Sequence, residues 1–521
     1  MTDTIKKIVI LGGGTAGWIT AGLLAAEHAV GSDPGGIQIV VLESPDVAPI
    51  GVGEGTWPSM RDTLKKIGIN ETEFIRTCNV SFKQGSKFVG WSVGQGEHYY
   101  HPFTLPSEYG AFNLAPYWSA HKDKVSFAGA VCAQEAICEM GLAPKQMATP
   151  EYAYVLNYGY HLDSAKFSEL LRNHCVQKLS IEHQYANVVS VDNDVDGYIQ
   201  ALCVDTGSRV EGDLFVDCSG FKSLLLGEHF GIASKSLRKI LVNDSVIATQ
   251  APYTDSSANL ASCTIGTAQP SGWVWDIALP SRRGVGYVYS SAHASATAAE
   301  NTVREYLEAS LGAEKVAKLE LRHIKFEPGY RKTFWHKNCI AIGLSAGFIE
   351  PLEATALVLV ERSAQMLAEE LPRSRQSMAV VARRFNTKFT LHWERIVDFL
   401  KLHYALSKRA DSDYWVDQRS SETLPDSLND LLTLWRERPP WLGDEMARSE
   451  LFPSASFQYV LYGMRPDLCV DMESRRKSSN ENARALELFQ ENQNKINKLI
   501  RGLQKNRALL TKISNSEFAK I

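Results

Sequence analysis

The sequence predicts an α/β protein built around a doubly wound, dinucleotide-binding sheet. An apolar run at residues 8–11 leads into the glycine-rich turn 12–17 and then into an apolar stretch that begins at Trp18. A second apolar run, residues 37–42, ends in Glu43. A strand, a turn of the form GxGxxG, a helix, a second strand and a terminal acid are the parts of a nucleotide-binding βαβ unit.

The glycine-rich turn is a candidate site for the pyrophosphate of a dinucleotide. Its glycines let the backbone approach the phosphates, and the helix that follows offers free N–H groups at its amino terminus. The acid at the end of the second strand is expected to bind the ribose hydroxyls. The candidate cofactor-binding residues of this unit are Gly12, Gly14, Thr15, Ala16, Gly17 and Glu43. They do not distinguish FAD from NAD.

Composition excludes several classes of partner. A chain of 521 residues with 44% apolar content can bury a large core. Its net charge of −4 and pI near 6.4 give no basic surface for nucleic acid or an anionic membrane. Nine scattered cysteines, never spaced as CxxC, argue against a disulfide framework and a zinc site. We therefore expect a cytoplasmic protein without a metal and without a membrane partner.

The segment 80–91 carries two lysines, Lys83 and Lys87, within an apolar and aromatic run. If the run is extended, both lysines project to one side, and Phe82 and Phe88 project to the other. Such a lysine is either a buried functional group or a surface residue whose stem lies along apolar neighbours. The spacing does not decide which lysine is buried.

A third apolar strand, residues 213–218, favours FAD over NAD. It ends in an acid and small residues, and Ser219 and Gly220 would let a cofactor pass close to the backbone. The pattern resembles the second fingerprint of single-component flavoproteins. An ordinary buried strand that ends in a turn is the alternative.

The strand at residues 272–280 carries Trp273 and Trp275 at positions i and i+2. Both side chains therefore lie on one side of the strand, where they can narrow a cavity. The alternative is a core strand with two large aromatic residues.

Small residues around Gly343 and Gly347 suit a backbone that lies against a flavin ring, and an apolar helix follows them. The start of that helix offers N–H groups to a small anion. Glu353 lies among apolar neighbours, where a carboxylate is costly unless it has a function or a partner. It could also be an acid of the first helical turn that interacts favourably with the helix dipole.

From about Arg475 onward the composition changes, and glycine and proline nearly vanish. Apolar residues recur every seven positions at Phe489, Ile496, Leu503 and Leu510, which predicts one long amphipathic helix. The pattern lasts only about four heptads, which favours a helix packed on its own chain over a dimer zipper.

Taken in order, these motifs resemble those of the flavin-dependent halogenases of the tryptophan halogenase type. The resemblance covers residues 8 to about 415. It rests on GGGTAGW at 12–18, IGVGEGTWP at 50–58, SFKQGSKFVGW at 81–91, the WxW strand, and AGFIEPLEAT at 346–355.

The resemblance implies an FAD-dependent monooxygenase-like fold. An FAD-binding lobe at 1–350 would be interleaved with strands of a substrate lobe at roughly 80–160 and 240–330. Residues 351–521 would form a mostly helical region on the substrate side.

The resemblance also assigns roles to single residues. It implies that Lys83 and Glu353 are catalytic and that the backbone amides of Thr355 and Ala356 hold the halide. Trp273 and Trp275 would form a wall between the flavin and the substrate cavity. The implied substrate-binding residues are His101, Pro102 and Phe103, and the further flavin contacts are Ile50, Gly51, Val188, Leu344 and Leu357.

The implied reaction uses FADH2, O2 and chloride or bromide to make hypohalous acid, which Lys83 and Glu353 guide to an electron-rich aromatic ring. Lys83 would act either as an ammonium that hydrogen-bonds this acid or as an amine that forms a haloamine. No second GxGxxG unit offers a nicotinamide site, so we expect a separate flavin reductase as a partner. The chain is expected to be a monomer or a homodimer.

The chain departs from the family pattern in three places. Ala278 stands where the family typically has the proline of WxWxIP, and Ala354 and Ala356 replace a serine and a glycine. Within residues 434–463 we find no tyrosine pair with a following glutamate, which tryptophan-specific members use to hold the amino acid. The expected substrate is therefore indole or an indole derivative.

Three alternatives remain at this stage. One is a halogenase of free tryptophan. A second is a hydroxylating flavoprotein monooxygenase, although Leu344 and Ser345 follow Gly343 where those enzymes have an acid. The third is a flavin-binding protein without activity.

Overall fold

A computed structural model describes residues 4–31, 35–47, 53–94, 96–446, 450–470 and 481–518. Within these ranges, no helix has both the length and the apolar character needed to cross a bilayer. All nine cysteines are free thiols, and seven of them are buried.

The strands, in chain order, are β1 (Lys7–Leu11), β2 (Gln38–Glu43), β3 (Glu54–Gly55), β4 (Ser81–Lys83), β5 (Gly85–Val89), β6 (His98–Pro102), β7 (Gly159–Leu162), β8 (Glu182–Tyr185), β9 (Val188–Asn193), β10 (Ile199–Val204), β11 (Arg209–Glu211), β12 (Leu214–Asp217), β13 (Ser234–Ser236), β14 (Ser245–Pro252), β15 (Thr264–Gln269), β16 (Gly272–Ala278), β17 (Arg282–Tyr289), β18 (Arg322–Lys325), β19 (Gly329–Arg331), β20 (Trp335–His336), β21 (Cys339–Ala341) and β22 (Gly347–Phe348).

The α-helices, in chain order, are α1 (Thr15–Glu27), α2 (Ser59–Ile67), α3 (Glu71–Thr77), α4 (Ala115–Trp118), α5 (Phe127–Val131), α6 (Gln134–Glu139), α7 (Ser164–Lys178), α8 (Ala296–Leu311), α9 (Ala313–Ala317), α10 (Thr355–Glu369), α11 (Arg375–Ala405), α12 (Asp413–Asp417), α13 (Asp426–Leu434), α14 (Ser454–Met464), α15 (Glu481–Gly502) and α16 (Asn506–Asn515). Short 3-10 turns join several of them, and residues Leu224–His229 form a π-helix.

The chain divides into two compact units. Unit 1 comprises residues 1–79, 162–237 and 327–393, and unit 2 comprises residues 80–161, 238–326 and 394–521.

Unit 1 contains a six-stranded sheet in the order β20-β21-β12-β1-β2-β8. Strands β21, β12, β1, β2 and β8 are parallel, and only the edge strand β20 runs antiparallel to its neighbour. The central strands are buried on both faces, which is why their sequences read as unbroken apolar runs. Helix α1 packs against α7 and α10. The predicted α/β class and the strand–turn–helix start at residues 8–17 are confirmed.

Unit 2 is built on a seven-stranded sheet in the order β18-β14-β17-β16-β15-β5-β6. Its strands are antiparallel except for the parallel pair β5 and β15. Helix α8 covers part of one face, where Val303 and Leu307 pack with Tyr287 of β17. The WxW segment is strand β16, which is flanked on both sides by other strands and buried along its length.

The carboxyl-terminal region differs from the prediction of one long helix. It forms two helices, α15 and α16, which are separated by residues 503–505. The break occurs after Gly502, where Lys505 forms a β-bridge with Leu142 and the Gln504 carbonyl accepts the N–H of Ala143. Pairing with this segment ends the first helix. The prediction that the apolar stripe packs on its own chain is confirmed, because Ile496 and Leu503 pack with Ile137 of α6.

Candidate active site

The sheet of unit 1 brings the predicted cofactor segments to one edge. Strands β1, β2, β12 and β21 are parallel neighbours, so their carboxyl ends lie side by side. The segments at or directly after these ends are the turn 12–17, Glu43, residues 218–220 and the turn at Gly343. All four segments therefore lie at one edge of this sheet, the edge at which doubly wound sheets bind nucleotides.

The glycine-rich turn has the geometry of a phosphate site. Gly12 has φ 121°, and a side chain there would collide with the Cys218 carbonyl. Gly14 is the N-cap of α1, and a Cβ atom at Gly14 would meet no described atom within 4 Å. No side chain caps α1, and its first turn has no acid. Free N–H groups and the positive end of the helix dipole thus face open space, which fits a pyrophosphate.

Glu43 ends β2 beside this turn. A Cβ atom on Gly13 would lie 2.1 Å from the Glu43 carboxyl carbon, so glycine is needed for the two to meet. His183 Nε2 donates a hydrogen bond of 2.8 Å to Glu43 Oε2 and fixes the carboxylate while leaving it partly exposed. Its second oxygen can accept hydrogen bonds from ribose hydroxyls, so the residues present fit the adenosine half of FAD.

The Gly343 turn is anchored to the end of β12. The Ile342 N–H donates to the Asp217 carbonyl at 3.0 Å, and the Ser345 hydroxyl donates to the same carbonyl. Gly343 has φ 77°, and a Cβ atom there would lie 2.8 Å from Ala16 Cβ. Leu344, between these anchors, is half-buried. The turn is therefore held against the start of α1 with Leu344 at its tip.

Helix α10 begins at Thr355, two residues after Glu353. Ala354 is its N-cap with φ 55°, in the left-handed region, and no side chain caps the helix. Its first turn contains no acid, so the N–H groups of Thr355, Ala356 and Leu357 are available to an anion. Thr355 and Leu357 are buried, whereas Ala356 is exposed. The Glu353 side chain is 2% exposed. Since Glu353 precedes the helix, it is not an acid of the first turn.

Of three further predicted flavin contacts, the described residues include only Val188. Val188 is half-buried at the start of β9, two residues after Ala186, whose N–H donates to the Glu43 carbonyl. Ile50 and Gly51 lie outside the described residues.

In unit 2, the lysine segment is not one continuous strand. It breaks at Gln84 into β4, which pairs with β7, and β5, which pairs with β6 and β15. Gly85 has φ 142°, and a side chain there would collide with the His101 carbonyl. The structure distinguishes the two lysines: Lys83 is 0% exposed, whereas Lys87 forms a 2.6 Å ion pair with Glu139 at the surface.

Lys83 lies in a polar and aromatic environment. Its Nζ is 5.2 Å from the centre of the Phe103 ring, within the range of a cation–π interaction. His161 is buried nearby, with Nε2 2.8 Å from the Thr264 hydroxyl. Burial and then the charge of Lys83 hold the pKa of His161 well below its usual range. His161 is therefore neutral at pH 7 and adds no second positive charge beside Lys83.

His101 is held by three aromatic rings and one hydroxyl. Its ring centre lies 5.3 Å from that of Phe399 and 6.2 Å from those of Phe452 and Tyr459, and its Nε2 is hydrogen-bonded to Ser456 Oγ at 2.9 Å. His101 and Pro102 are buried, and Phe103 is half-buried. Within unit 2, Lys83 and Phe103 are thus close together, and His101 is two residues away along the chain.

Trp273 and Trp275 lie on one side of β16, with ring centres 6.3 Å apart. Trp273 also contacts Trp91 at 6.2 Å. Trp275 lies across its cross-strand neighbour Gly286, where a Cβ atom would be 2.1 Å from the ring. Both rings are buried and tightly packed. Their role as a wall stays a prediction.

Three of the four acids within residues 434–463 have partners in the structure. Asp444 accepts hydrogen bonds from Trp435, Arg438 and the Trp441 N–H. Glu445 accepts from the Tyr109 hydroxyl at 2.7 Å, and Glu450 forms a 3.3 Å ion pair with Arg395. Glu437 is an exposed residue that follows α13. We find no carboxylate in the described part of this region that is buried and still lacks a counter-charge or donor.

Sequence reasoning missed several side chains around the site. Trp57 Nε1 donates a 2.8 Å hydrogen bond to the Glu353 carbonyl. The only sequence feature that indicated a role for Trp57 is its place in the GEGTWP motif. Ser456, Gln134 and Asn157 contact the His101 to Thr104 segment from distant parts of the chain. No local pattern marks these three residues.

Comparison with known proteins is consistent with this geometry. The family model for tryptophan halogenases matches residues 7–474. A crystal structure of a tryptophan halogenase from Shewanella frigidimarina is similar over 100% of both chains, with a TM-score of 0.96 and 48% identity. A tryptophan 6-halogenase of Streptomyces albogriseolus is 33% identical over 84% of this chain and 83% of its own. A tryptophan 7-halogenase of Lentzea aerocolonigenes is 32% identical over the same shares.

Structural neighbours also include a tryptophan C-6 flavin-dependent halogenase with a TM-score of 0.89 and 30% identity over 98% of this chain. The predicted FAD-binding, monooxygenase-like fold with a helical carboxyl-terminal region is confirmed. The family's enzymes depend on FADH2 and halide and are served by a separate flavin reductase. The chain belongs to the tryptophan halogenase family.

Proposed function

We propose that this protein halogenates an electron-rich aromatic compound, indole or an indole derivative, with FADH2, O2 and chloride or bromide. The observation that carries the proposal is a lysine with 0% exposure whose ammonium group lies 5.2 Å from the ring of Phe103. Burying a lysine is costly, and a surface role cannot explain it.

FAD would be held by the turn 12–17, by Glu43 and by the Gly343 turn. Leu344, Leu357, Val188, Ile50 and Gly51 are the further contacts that we assign to it. When bound and reduced, the cofactor supplies, with O2, the oxidising equivalents that turn a halide into hypohalous acid. The uncapped start of α10 suits a halide, because the N–H groups of Thr355 and Ala356 have no side-chain acceptor.

Lys83 and Glu353 would deliver the halogen. As an ammonium, Lys83 donates a hydrogen bond to hypohalous acid and polarises its halogen; as an amine, it can carry the halogen itself. Glu353 would orient the electrophile or accept the proton that leaves the ring.

His101, Pro102 and Phe103 would bind the aromatic ring by stacking, which needs no charged group on the substrate. The partnered acids at Asp444, Glu445 and Glu450 support a substrate without a free ammonium group. Free tryptophan is the second candidate substrate, because the relatives named above are tryptophan halogenases.

The test is a reaction of the protein with FAD, a flavin reductase, NADH, bromide and either indole or tryptophan. We expect the isotope doublet of a monobrominated product from indole, and less product from tryptophan. A hydroxylated product without a brominated one would instead identify a hydroxylating monooxygenase.

The roles of Lys83 and Glu353 are tested by K83M, E353Q and the double variant. If both side chains act in one step, each single variant loses most of the activity and the double variant loses little more. If the factor by which the double variant loses activity equals the product of the two single-variant factors, Lys83 and Glu353 act independently. A variant that retains full activity would remove that residue from the proposal.

We also propose a cytoplasmic location, which suits nine free thiols, and either a monomeric or a homodimeric state. The net charge of −4 supports the absence of a nucleic acid partner. Gel filtration with light scattering would determine the oligomeric state.

A further inference from the structure

Three residues with amide side chains in unit 2 form a connected network, which we call the amide network: the buried Gln84 and Gln134 and the half-buried Asn157. Gln134 Nε2 donates to Gln84 Oε1 at 3.3 Å and to the main-chain carbonyl of Asn157 at 2.6 Å. Gln84 Nε2 donates in turn to the Leu142 carbonyl at 2.8 Å. Gln84 and Gln134 are both 0% exposed.

The network ends on the segment that carries Phe103. The Thr104 N–H donates to Gln134 Oε1 at 2.7 Å, and Asn157 Nδ2 donates to the Phe103 carbonyl at 3.0 Å. The Asn157 N–H donates to the Thr104 hydroxyl at 3.3 Å. The peptide group between Phe103 and Thr104 is therefore held by the amide network at both its carbonyl and its N–H.

The other end of the network holds the residue next to Lys83. Gln84 follows Lys83 directly, its N–H donates to the Ser262 carbonyl at 2.6 Å, and its carbonyl accepts the Phe103 N–H at 3.1 Å. The lysine strand and the Phe103 segment are thus joined by one direct hydrogen bond and by the bridge through Gln134. Buried hydrogen bonds of this kind are costly to leave unmade, which makes the arrangement rigid.

Gln134 is the hub of this arrangement. It uses its carbonyl oxygen as an acceptor and its amino group as a donor to two oxygens, which only an amide side chain of this length can do here. It is the first residue of α6, and its neighbours Ala133 and Ile137 are packed in a buried apolar cluster. The helix therefore fixes the hub in place.

We propose that Gln134 is a positioning residue that sets the distance and angle between Lys83 and the aromatic ring of the substrate. The inference rests on the proposed roles of Lys83 and Phe103. A substrate ring stacked on Phe103 moves with the backbone that carries Phe103. The amide network, which holds that backbone, therefore determines which ring carbon faces Lys83. A shift of about 1 Å in such an arrangement is enough to lower the rate by as much as a hundredfold.

Two substitutions separate positioning from folding. Q134E keeps the size of the side chain and the acceptor for Thr104, but it removes both donated hydrogen bonds. Q134M has a similar volume and removes every hydrogen bond. Q458M is the matched control, because Gln458 is also buried and donates to the Asn113 side chain at 3.1 Å and to the Pro440 carbonyl at 2.6 Å.

The readouts are the ratio of brominated positional isomers of indole and the fraction of oxidised bromide that reaches indole rather than a soluble scavenger of hypobromous acid. For Q134E and Q134M we expect a changed isomer ratio and a captured fraction that is roughly ten times lower. For Q458M we expect both values to match the wild type. Thermal unfolding in the presence of FAD identifies variants that do not fold.

A second variant keeps the inference testable if Q134M fails to fold. Q84M removes the acceptor of the hub bond, and it is expected to change the isomer ratio in the same direction as Q134E. Unchanged isomer ratio and capture in a folded Q134E or Q84M would overturn the inference alone. A wild type that brominates nothing would overturn the proposed function and the inference with it.

Discussion

The indole N–H of Trp57 donates a hydrogen bond of 2.8 Å to the main-chain carbonyl of Glu353. The next residue, Ala354, has φ 55°, a conformation that costs a non-glycine residue roughly 1 kcal/mol or more. The bond to Trp57 is therefore one of the interactions that hold the Glu353 carboxylate in a strained turn before α10.

From this contact we predict that W57F lowers kcat by about five- to tenfold, since the lost hydrogen bond is worth about 1 kcal/mol. The measurement is the steady-state rate of indole bromination. W335F is the control, because Trp335 Nε1 also donates to a main-chain carbonyl, that of Lys337 at 3.0 Å. Equal losses in both variants would point to a general effect on folding.

The second prediction concerns Glu361 of α10, which is buried and accepts hydrogen bonds from Thr63 at 2.5 Å and Ser59 at 3.1 Å. Burial raises the pKa of Glu361 to about 7. The folded protein thus binds this proton more tightly than the unfolded chain. The contribution of Glu361 to the free energy of unfolding is largest below about pH 4.5, falls as the pH rises to about 7, and is constant above that.

We therefore expect E361Q, which is neutral at every pH, to gain stability relative to the wild type between pH 5 and pH 8. The gain is at most about 3 kcal/mol, from roughly two and a half pKa units at 1.36 kcal/mol each. Denaturant unfolding at both pH values measures it. Glu54, whose pKa burial also raises to about 7, is present in both proteins and cancels. A difference that does not change with pH would mean that Glu361 is ionised in the folded state.

Local sequence patterns were sufficient for the parts of the fold that depend on near neighbours. Residues 8–17 and Glu43 were placed correctly because a buried strand, a glycine turn and a helix start each leave a local signature. The packing of the stripe that contains Ile496 on the protein's own chain was predictable from the heptad spacing, because an apolar stripe must be covered, but its partner α6 was not.

Other features depend on contacts between distant residues. The choice between Lys83 and Lys87 is made by Glu139, which pairs with Lys87 at the surface and has no recognisable spacing from it. The end of α15 at Gly502 is determined by pairing with Leu142, although the apolar pattern continues without interruption. The amide network joins residues 23 and 50 positions apart, and buried glutamines have no periodic signature.

A third prediction concerns the WxW strand itself. Asp276 is buried and receives Arg283 Nε at 3.0 Å and the Tyr306 hydroxyl at 3.1 Å. D276A leaves the half-buried guanidinium of Arg283 without its counter-charge, which we expect to cost about 3–5 kcal/mol of unfolding free energy. Denaturant titration gives the value. D192A, which breaks the exposed pair with Arg209, should cost less than about 1 kcal/mol of unfolding free energy. A loss in D192A as large as that in D276A would contradict the conclusion that burial of the Asp276–Arg283 pair causes the larger cost.

The last prediction concerns Asn506 at the start of α16. Its side chain is hydrogen-bonded to β4, the strand that carries Lys83. Its Nδ2 donates to the Phe82 carbonyl at 3.3 Å, and its backbone N–H donates to the Gly141 carbonyl at 2.9 Å. Phe82 is the residue before Lys83, so N506A frees the strand that carries the lysine while leaving the backbone bond intact. We expect three- to tenfold slower indole bromination, in line with the loss of about 1 kcal/mol for a buried hydrogen bond.

Asn492 provides the control, because its Nδ2 donates to the Gly129 and Ala130 carbonyls of α5 at 2.9 Å each. N492A should lower the unfolding temperature at least as much as N506A, yet retain the wild-type rate per folded molecule; a rate loss of the same size would show that α15 and α16 stabilise unit 2 without acting on Lys83.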